Sequence, residues 1–176
     1  MDKREPSGHR RSIRLPCFDY AQPGAYFLTI CAFDRKSIFG HMSGNVVELF
    51  ALGQCVNAAW LELPRRFAHV ELGTYVIMPN HLHALLLLHR QEARGGSTRE
   101  AFQKPVRGSL PTIIRSFKGT ASVRIKEAGI RLAHPVWQRN YFERVVRNGK
   151  EFTAAMRYIL ENPVRWRFDH ENPERS

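Results

Sequence analysis

The chain has 176 residues, a mass of 20.4 kDa, 27 Lys and Arg against 16 Asp and Glu, and a net charge of +11 with a pI of about 10.2. Apolar residues are 43% and charged residues 24%, which is ordinary globular usage and excludes a collagen-like, mucin-like or extensively disordered chain. This length predicts one domain, since roughly 150 residues is a usual domain size, and the excess of cations points to a polyanionic partner, nucleic acid first.

The cysteines, Cys17, Cys31 and Cys55, form no CxxC pair. An odd count does not describe a secreted disulfide scaffold, so they are read as reduced thiols of an intracellular protein. The opening residues, Met1 to Pro16, hold no apolar leader segment. The longest apolar run, Ala84 to Leu88, is far short of the roughly 20 residues of a membrane span. A cytoplasmic protein without a membrane partner is expected.

Residues 1–22 carry Lys3, Arg4, Arg10, Arg11 and Arg14 among few apolar residues and read as a basic arm. Ala25 to Phe33 is aromatic and β-branched, the composition of a strand, and Ile38-Phe39 suggests a short edge segment. Val46 to Phe67 reads as a helix, with Leu49, Leu52, Val56, Ala59 and Leu63 on one stripe and Pro64 at its end. Val70 to Met78 and His81 to His89 are two strands joined by the tight Pro79-Asn80 break, an antiparallel pair. Residues 90–108 have loop composition. Ser109 then caps a helix whose apolar stripe is Leu110, Ile113, Ile114, Phe117 and Ala121. Its other face carries Arg115, Lys118, Arg124 and Lys126, with no acid from Gly108 to Lys126. Trp137 to Val146 is a fourth strand, Asn148-Gly149 a turn, and Lys150 to Asn162 a last helix stopped by Pro163. The order β-α-β-β-α-β-α predicts an α+β, ferredoxin-like antiparallel sheet with packed helices and an extra C-terminal helix. The expected domain covers residues 23–165, with a short tail at 166–176.

Three sets of residues carry chemistry. His81-Leu82-His83 lies on a strand, where residues two apart share a face. Both imidazoles can therefore meet one divalent ion while Leu82 enters the core; the plainer reading is one solvated and one hydrogen-bonded histidine. Tyr158 and Asn162 are four apart on the last helix and share a face, with Tyr158 off the core stripe. A phenol can act as a covalent nucleophile, but its pKa of about 10 calls for a metal that polarises the target. The Asn162 carbonyl oxygen can complete such a site, although a surface tyrosine and a helix-end asparagine are the simpler readings. Finally, Arg139, Arg144 and Arg147 lie among Trp137, Tyr141 and Phe142, the mixture that grips phosphates and stacks on unpaired bases. No GxGxxG, Walker loop, HExxH or GxSxG occurs.

Taken together, these motifs resemble a family. Tyr75-Val-Ile-Met-Pro-Asn-His-Leu-His83 is similar to the signature of HUH-type single-tyrosine transposases, where U is a hydrophobic residue. Trp137 to Asn148, followed by Tyr158-Ile-Leu-Glu-Asn-Pro-Val164, resembles the REP-associated tyrosine transposases, as do Tyr26 to Cys31 and Ser109 to Lys118. The resemblance spans residues 15–165 and implies a transposase and single-strand endonuclease. His81 and His83 would hold Mg²⁺ or Mn²⁺, with Asn162 as third ligand. Tyr158 would attack the scissile phosphate, giving a 5′-phosphotyrosine and a free 3′-hydroxyl, and the same site could rejoin strands. The implied partners are single-stranded DNA hairpins of palindromic repeats, gripped by Arg10, Arg11, Arg14, Arg115, Lys118, Arg124, Arg139, Arg144 and Arg147. The protein would act at the nucleoid as a monomer or homodimer. The end of the chain, Arg165 to Ser176, departs from the apolar and Trp-Ser-type stretch of many relatives. Two other readings are a non-catalytic nucleic-acid-binding module on the same fold, and a two-histidine metal phosphoesterase that uses water. The second leaves Tyr158 and Asn162 without a role.

Overall fold

The computed structural model describes residues 19–90 and 106–173. Arg10, Arg11, Arg14 and Cys17, and most of the loop expected at 90–108, lie outside those residues. Strands β1 (Gly24–Cys31), β4 (Val70–Ile77), β5 (His81–Leu88) and β6 (Phe142–Val146) form one sheet in the order β4-β5-β1-β6. Every pairing is antiparallel, so β5 lies between the mutually parallel β1 and β4. This is the expected α+β, ferredoxin-like arrangement.

Strand alternation divides the sheet into two faces. Tyr26, Leu28 and Ile30 of β1 and Leu82, Ala84 and Leu86 of β5 are buried on one face in the main core. Helices α1 (Ala51–Leu61) and α3 (Leu110–Glu127) complete that core through Leu52, Val56, Ala59 and Trp60, and through Ile113, Ile114, Phe117 and Ala121. The Trp60 and Phe117 rings meet edge-on at 5.1 Å between the two helices. The opposite face carries Phe27, Leu85 and Val146, covered by Ala155 and Ile159 of α4 (Gly149–Glu161). Asn148 caps α4, its side chain accepting from the Glu151 N–H at 2.9 Å.

Three elements differ from the expectation. Residues Val46–Leu49 are a strand, β3, paired with β2 (Gly40–Ser43), not the first turn of a helix. Gly44 holds φ +60° in the connecting turn, and β-branched Val46 and Val47 favour the extended form. The helix begins only at Ala51, and after Leu61 the chain continues into a separate short turn, α2 (Leu63–Arg66), with Pro64 in its first positions. Strand β6 starts at Phe142 rather than Trp137, which makes an isolated bridge to Ala32 and packs its ring on Phe39 and Phe117. Residues 19–22 run into the fold, with Tyr20 buried in the main core. Among the described residues no helix is long and apolar enough to cross a membrane.

Candidate active site

The register of β1 against β5 places Thr29 opposite His83 and Cys31 opposite His81. Both imidazoles project from the α4 face while Leu82 enters the main core, as the alternation predicts. Their ring centroids are 4.2 Å apart. His83 Nδ1 meets Thr29 Oγ1 at 2.9 Å, and His81 Nδ1 donates to Asn80 Oδ1 at 2.8 Å. The Asn80 amide is itself fixed, donating to the Arg35 carbonyl at 2.9 Å and the Glu171 carbonyl at 2.6 Å. Both histidines therefore use Nδ1 for the protein and leave Nε2 buried and, among the described residues, without a hydrogen-bond partner. Burial, and then the neighbouring His83, push His81 well below the ordinary imidazole range. It is neutral at pH 7, the form that ligates metals.

The C-terminal segment closes over these rings. Trp166 lies 5.9 Å from the His81 ring, and Asp169 reaches 4.0 Å from His83 Nε2, an electrostatic contact too long for a hydrogen bond. Ligand atoms of His81, His83 and Asp169 lie within 4.8 Å of one another, and all three side chains are buried. Asn162 is buried at the end of α4, its Nδ2 donating to Asp169 Oδ2 at 2.5 Å and its Oδ1 left without a hydrogen-bond partner among the described residues. Burial would raise the Asp169 carboxyl, but the facing His83 ring, the Glu171 N–H and the Asn162 amide outweigh it and hold it well below the usual range. Buried polar atoms are normally satisfied. Two imidazole nitrogens and an amide oxygen left open beside a carboxylate are a donor set that fits a divalent cation.

Tyr158 sits on the same cluster within one chain. Its ring meets His83 edge-on at 5.2 Å and Phe27 at 5.8 Å, and it is 43% exposed while His81 and His83 are 0% and 2%. Half-burial and the Asp169 carboxylate push its phenol up to about 12. The hydroxyl is therefore protonated at neutral pH.

No family model matches the chain. An uncharacterized Haemophilus influenzae protein is 37% identical over 169 residues, 92% of either chain, and the two belong to one family. A second Haemophilus influenzae protein, provisionally named a REP-associated tyrosine transposase, is 24% identical over 147 residues, 84% of this chain and 74% of that one. The solved structure of a REP-associated tyrosine transposase bound to a REP hairpin shares the fold, with a TM-score of 0.57 and 19% identity over 92% of this chain and 74% of that chain. The chain is thus similar in sequence to a protein named as a REP-associated tyrosine transposase and shares the fold of a solved one.

The four residues singled out for chemistry, His81, His83, Tyr158 and Asn162, lie together. The basic residues divide. Arg115, Arg139, Arg144 and Arg147 are exposed. Lys118 instead donates to the carbonyls of Gln138 at 2.8 Å and Asn140 at 3.1 Å, and Arg124 pairs with Glu62 at 2.6 Å. Both of these cations have partners within the chain. Sequence reasoning missed Asp169, Asn80 and Thr29. Asn80 adjoins the histidines and was open to suspicion; Asp169 lies in a tail read as separate, and Thr29 is brought in by strand register alone.

Proposed function

We propose that the chain is a tyrosine-dependent DNA strand transferase that cleaves and rejoins single-stranded hairpin DNA of the repetitive palindromic kind. The observation that carries this reading is the packing of Tyr158 against His83 in a cluster whose buried Nε2 atoms have no hydrogen-bond partner among the described residues. A water-using phosphoesterase gives no reason for a phenol at that position, and a binding module gives none for the open imidazoles. The hairpin in the structural relative and the +11 charge support a DNA substrate.

In the proposed reaction, Tyr158 Oη attacks phosphorus and becomes bonded to the phosphate of the new 5′ end, giving a 5′-phosphotyrosine. The bond from phosphorus to the 3′ oxygen breaks, and that oxygen leaves as a hydroxyl, so the proton lost by the phenol is balanced by the one gained there. Reversal by an incoming 3′-hydroxyl rejoins the strand without a nucleotide cofactor. His81, His83 and Asn162 would hold Mg²⁺ or Mn²⁺, which supplies Lewis-acid polarisation of the phosphodiester. Thr29 and Asn80 hold the imidazoles in place, and Phe27 supports the Tyr158 ring at 5.8 Å.

The test is Tyr158→Phe with hairpin DNA and Mn²⁺ on a denaturing gel. Cleavage and the covalent adduct should both vanish, while hairpin affinity stays within about two-fold, because removing one half-exposed hydroxyl is a small surface change. Cleavage that persists in Tyr158→Phe would reject the assignment.

A further inference from the structure

Asp169 is a buried carboxylate, 6% exposed, and among the described residues no lysine or arginine forms an ion pair with it. An uncompensated buried charge costs several kcal/mol or is neutralised. What it faces instead is the His83 Nε2 at 4.0 Å, with the His81 ligand atom also inside the 4.8 Å cluster. Its two oxygens are oriented from within the chain. Oδ1 accepts the Glu171 N–H at 2.6 Å, and Oδ2 accepts the Asn162 Nδ2 at 2.5 Å. The second bond turns the Asn162 amide so that Oδ1 is its unpartnered atom. The segment that delivers Asp169 is tied down at the same place. Glu171 pairs with Arg35 at 2.7 Å, and its carbonyl accepts from Asn80, the residue that orients His81.

We propose that Asp169 is an anionic metal ligand supplied by the C-terminal segment, so that divalent-cation binding and docking of residues 166–172 on the sheet are one linked equilibrium. This rests on reading His81 and His83 as a metal site. Two imidazole nitrogens, a carboxylate oxygen and an amide oxygen form a donor set suited to Mn²⁺ and similar first-row cations. A carboxylate adds a negative charge that two imidazoles and an amide lack. Because the ion binds only the docked form through all of its donors, each event stabilises the other.

The full chain is titrated with Mn²⁺ by calorimetry as wild type, Asp169→Asn, Asn162→Ala, the double variant and His81→Ala, each first checked for a cooperative melt in EDTA. Wild type should bind one Mn²⁺, and Asp169→Asn should weaken binding by about tenfold or more. The same loss should recur when Asp169→Asn is added to Asn162→Ala, which a role limited to orienting Asn162 would not produce. In parallel, Mn²⁺ should slow tryptic cleavage at Arg165 and Arg167 in wild type and leave the rate unchanged in Asp169→Asn. If Mn²⁺ binds wild type, fails to bind His81→Ala and binds Asp169→Asn with unchanged affinity, the Asp169 assignment is overturned and the histidine site stands. If wild type binds no Mn²⁺, both readings fall together.

Discussion

At His83 the decisive neighbour is Thr29, buried beside the ring with its hydroxyl 2.9 Å from Nδ1. Such an outer bond fixes which nitrogen is free and how the ring is aimed. Thr29→Val keeps the β-branched shape and removes that bond. Mn²⁺ affinity should fall by roughly tenfold, whereas the stability read from urea unfolding should change by only about 1 kcal/mol. Unchanged affinity would mean that Phe27, stacked on His83 at 5.5 Å, is sufficient to hold the ring. The two histidines were legible in the sequence because strand alternation is a local rule. Thr29 was not, since it lies 54 residues away and reaches His83 only through the β1–β5 register. Asp169 was hidden for another reason: it follows a helix stop at Pro163 and sits in a tail with Arg165 and Arg167, where an acid reads as solvated.

Among the elements, the β2–β3 hairpin shows where pattern reading fails. Leu49 stands at helical spacing from Leu52 and Val56, yet it belongs to β3. The competing information lies in glycines whose need for space is a tertiary fact. A Cβ on Gly40 would overlap the Glu48 carbonyl across the hairpin, and one on Gly53 would overlap the Phe39 carbonyl where α1 passes β2. Gly53→Ala improves helix propensity by about 1 kcal/mol in isolation. Here it must push α1 off the Phe39 backbone, and overpacking of that kind costs about 1–3 kcal/mol. Urea unfolding of Gly53→Ala should therefore show a net loss of stability; a gain would mean that the hairpin moves aside freely. The long periodic segments α3, α4, β4 and β5 were legible because their apolar stripes and breakers agree with their packing. The ferredoxin-like antiparallel sheet was legible from the order of the elements.

Across the whole molecule, net charge locates a partner less well than the distribution of free charge does. The +11 chain invites every arginine and lysine to be read as a phosphate ligand, yet Arg35, Arg124 and Arg165 are paired with carboxylates at 2.6 to 2.8 Å, and Lys118 is bound to carbonyls between the Trp137 and Tyr141 rings. Among the described residues, exposed Arg144 lies on the edge strand and exposed Arg147 just past its end. Arg144 of β6 lies 5.8 Å over the Phe27 ring, which stacks on His83, and exposed Phe142 lies 6.5 Å from the same ring. Cations and an aromatic ring on this edge would lead a single strand toward Tyr158 by holding its phosphates and stacking on its bases. Neutralising one phosphate-binding cation lowers the salt slope of binding by about one unit, because one counterion fewer is released. Fluorescence anisotropy of a labelled hairpin across a salt series should thus show a shallower slope, by about two units, for Arg144→Gln with Arg147→Gln. Lys118→Met should keep the wild-type slope, because its ammonium is already occupied. An equal reduction in both variants would place the DNA across α3 as well, and the edge-strand path would have to be abandoned.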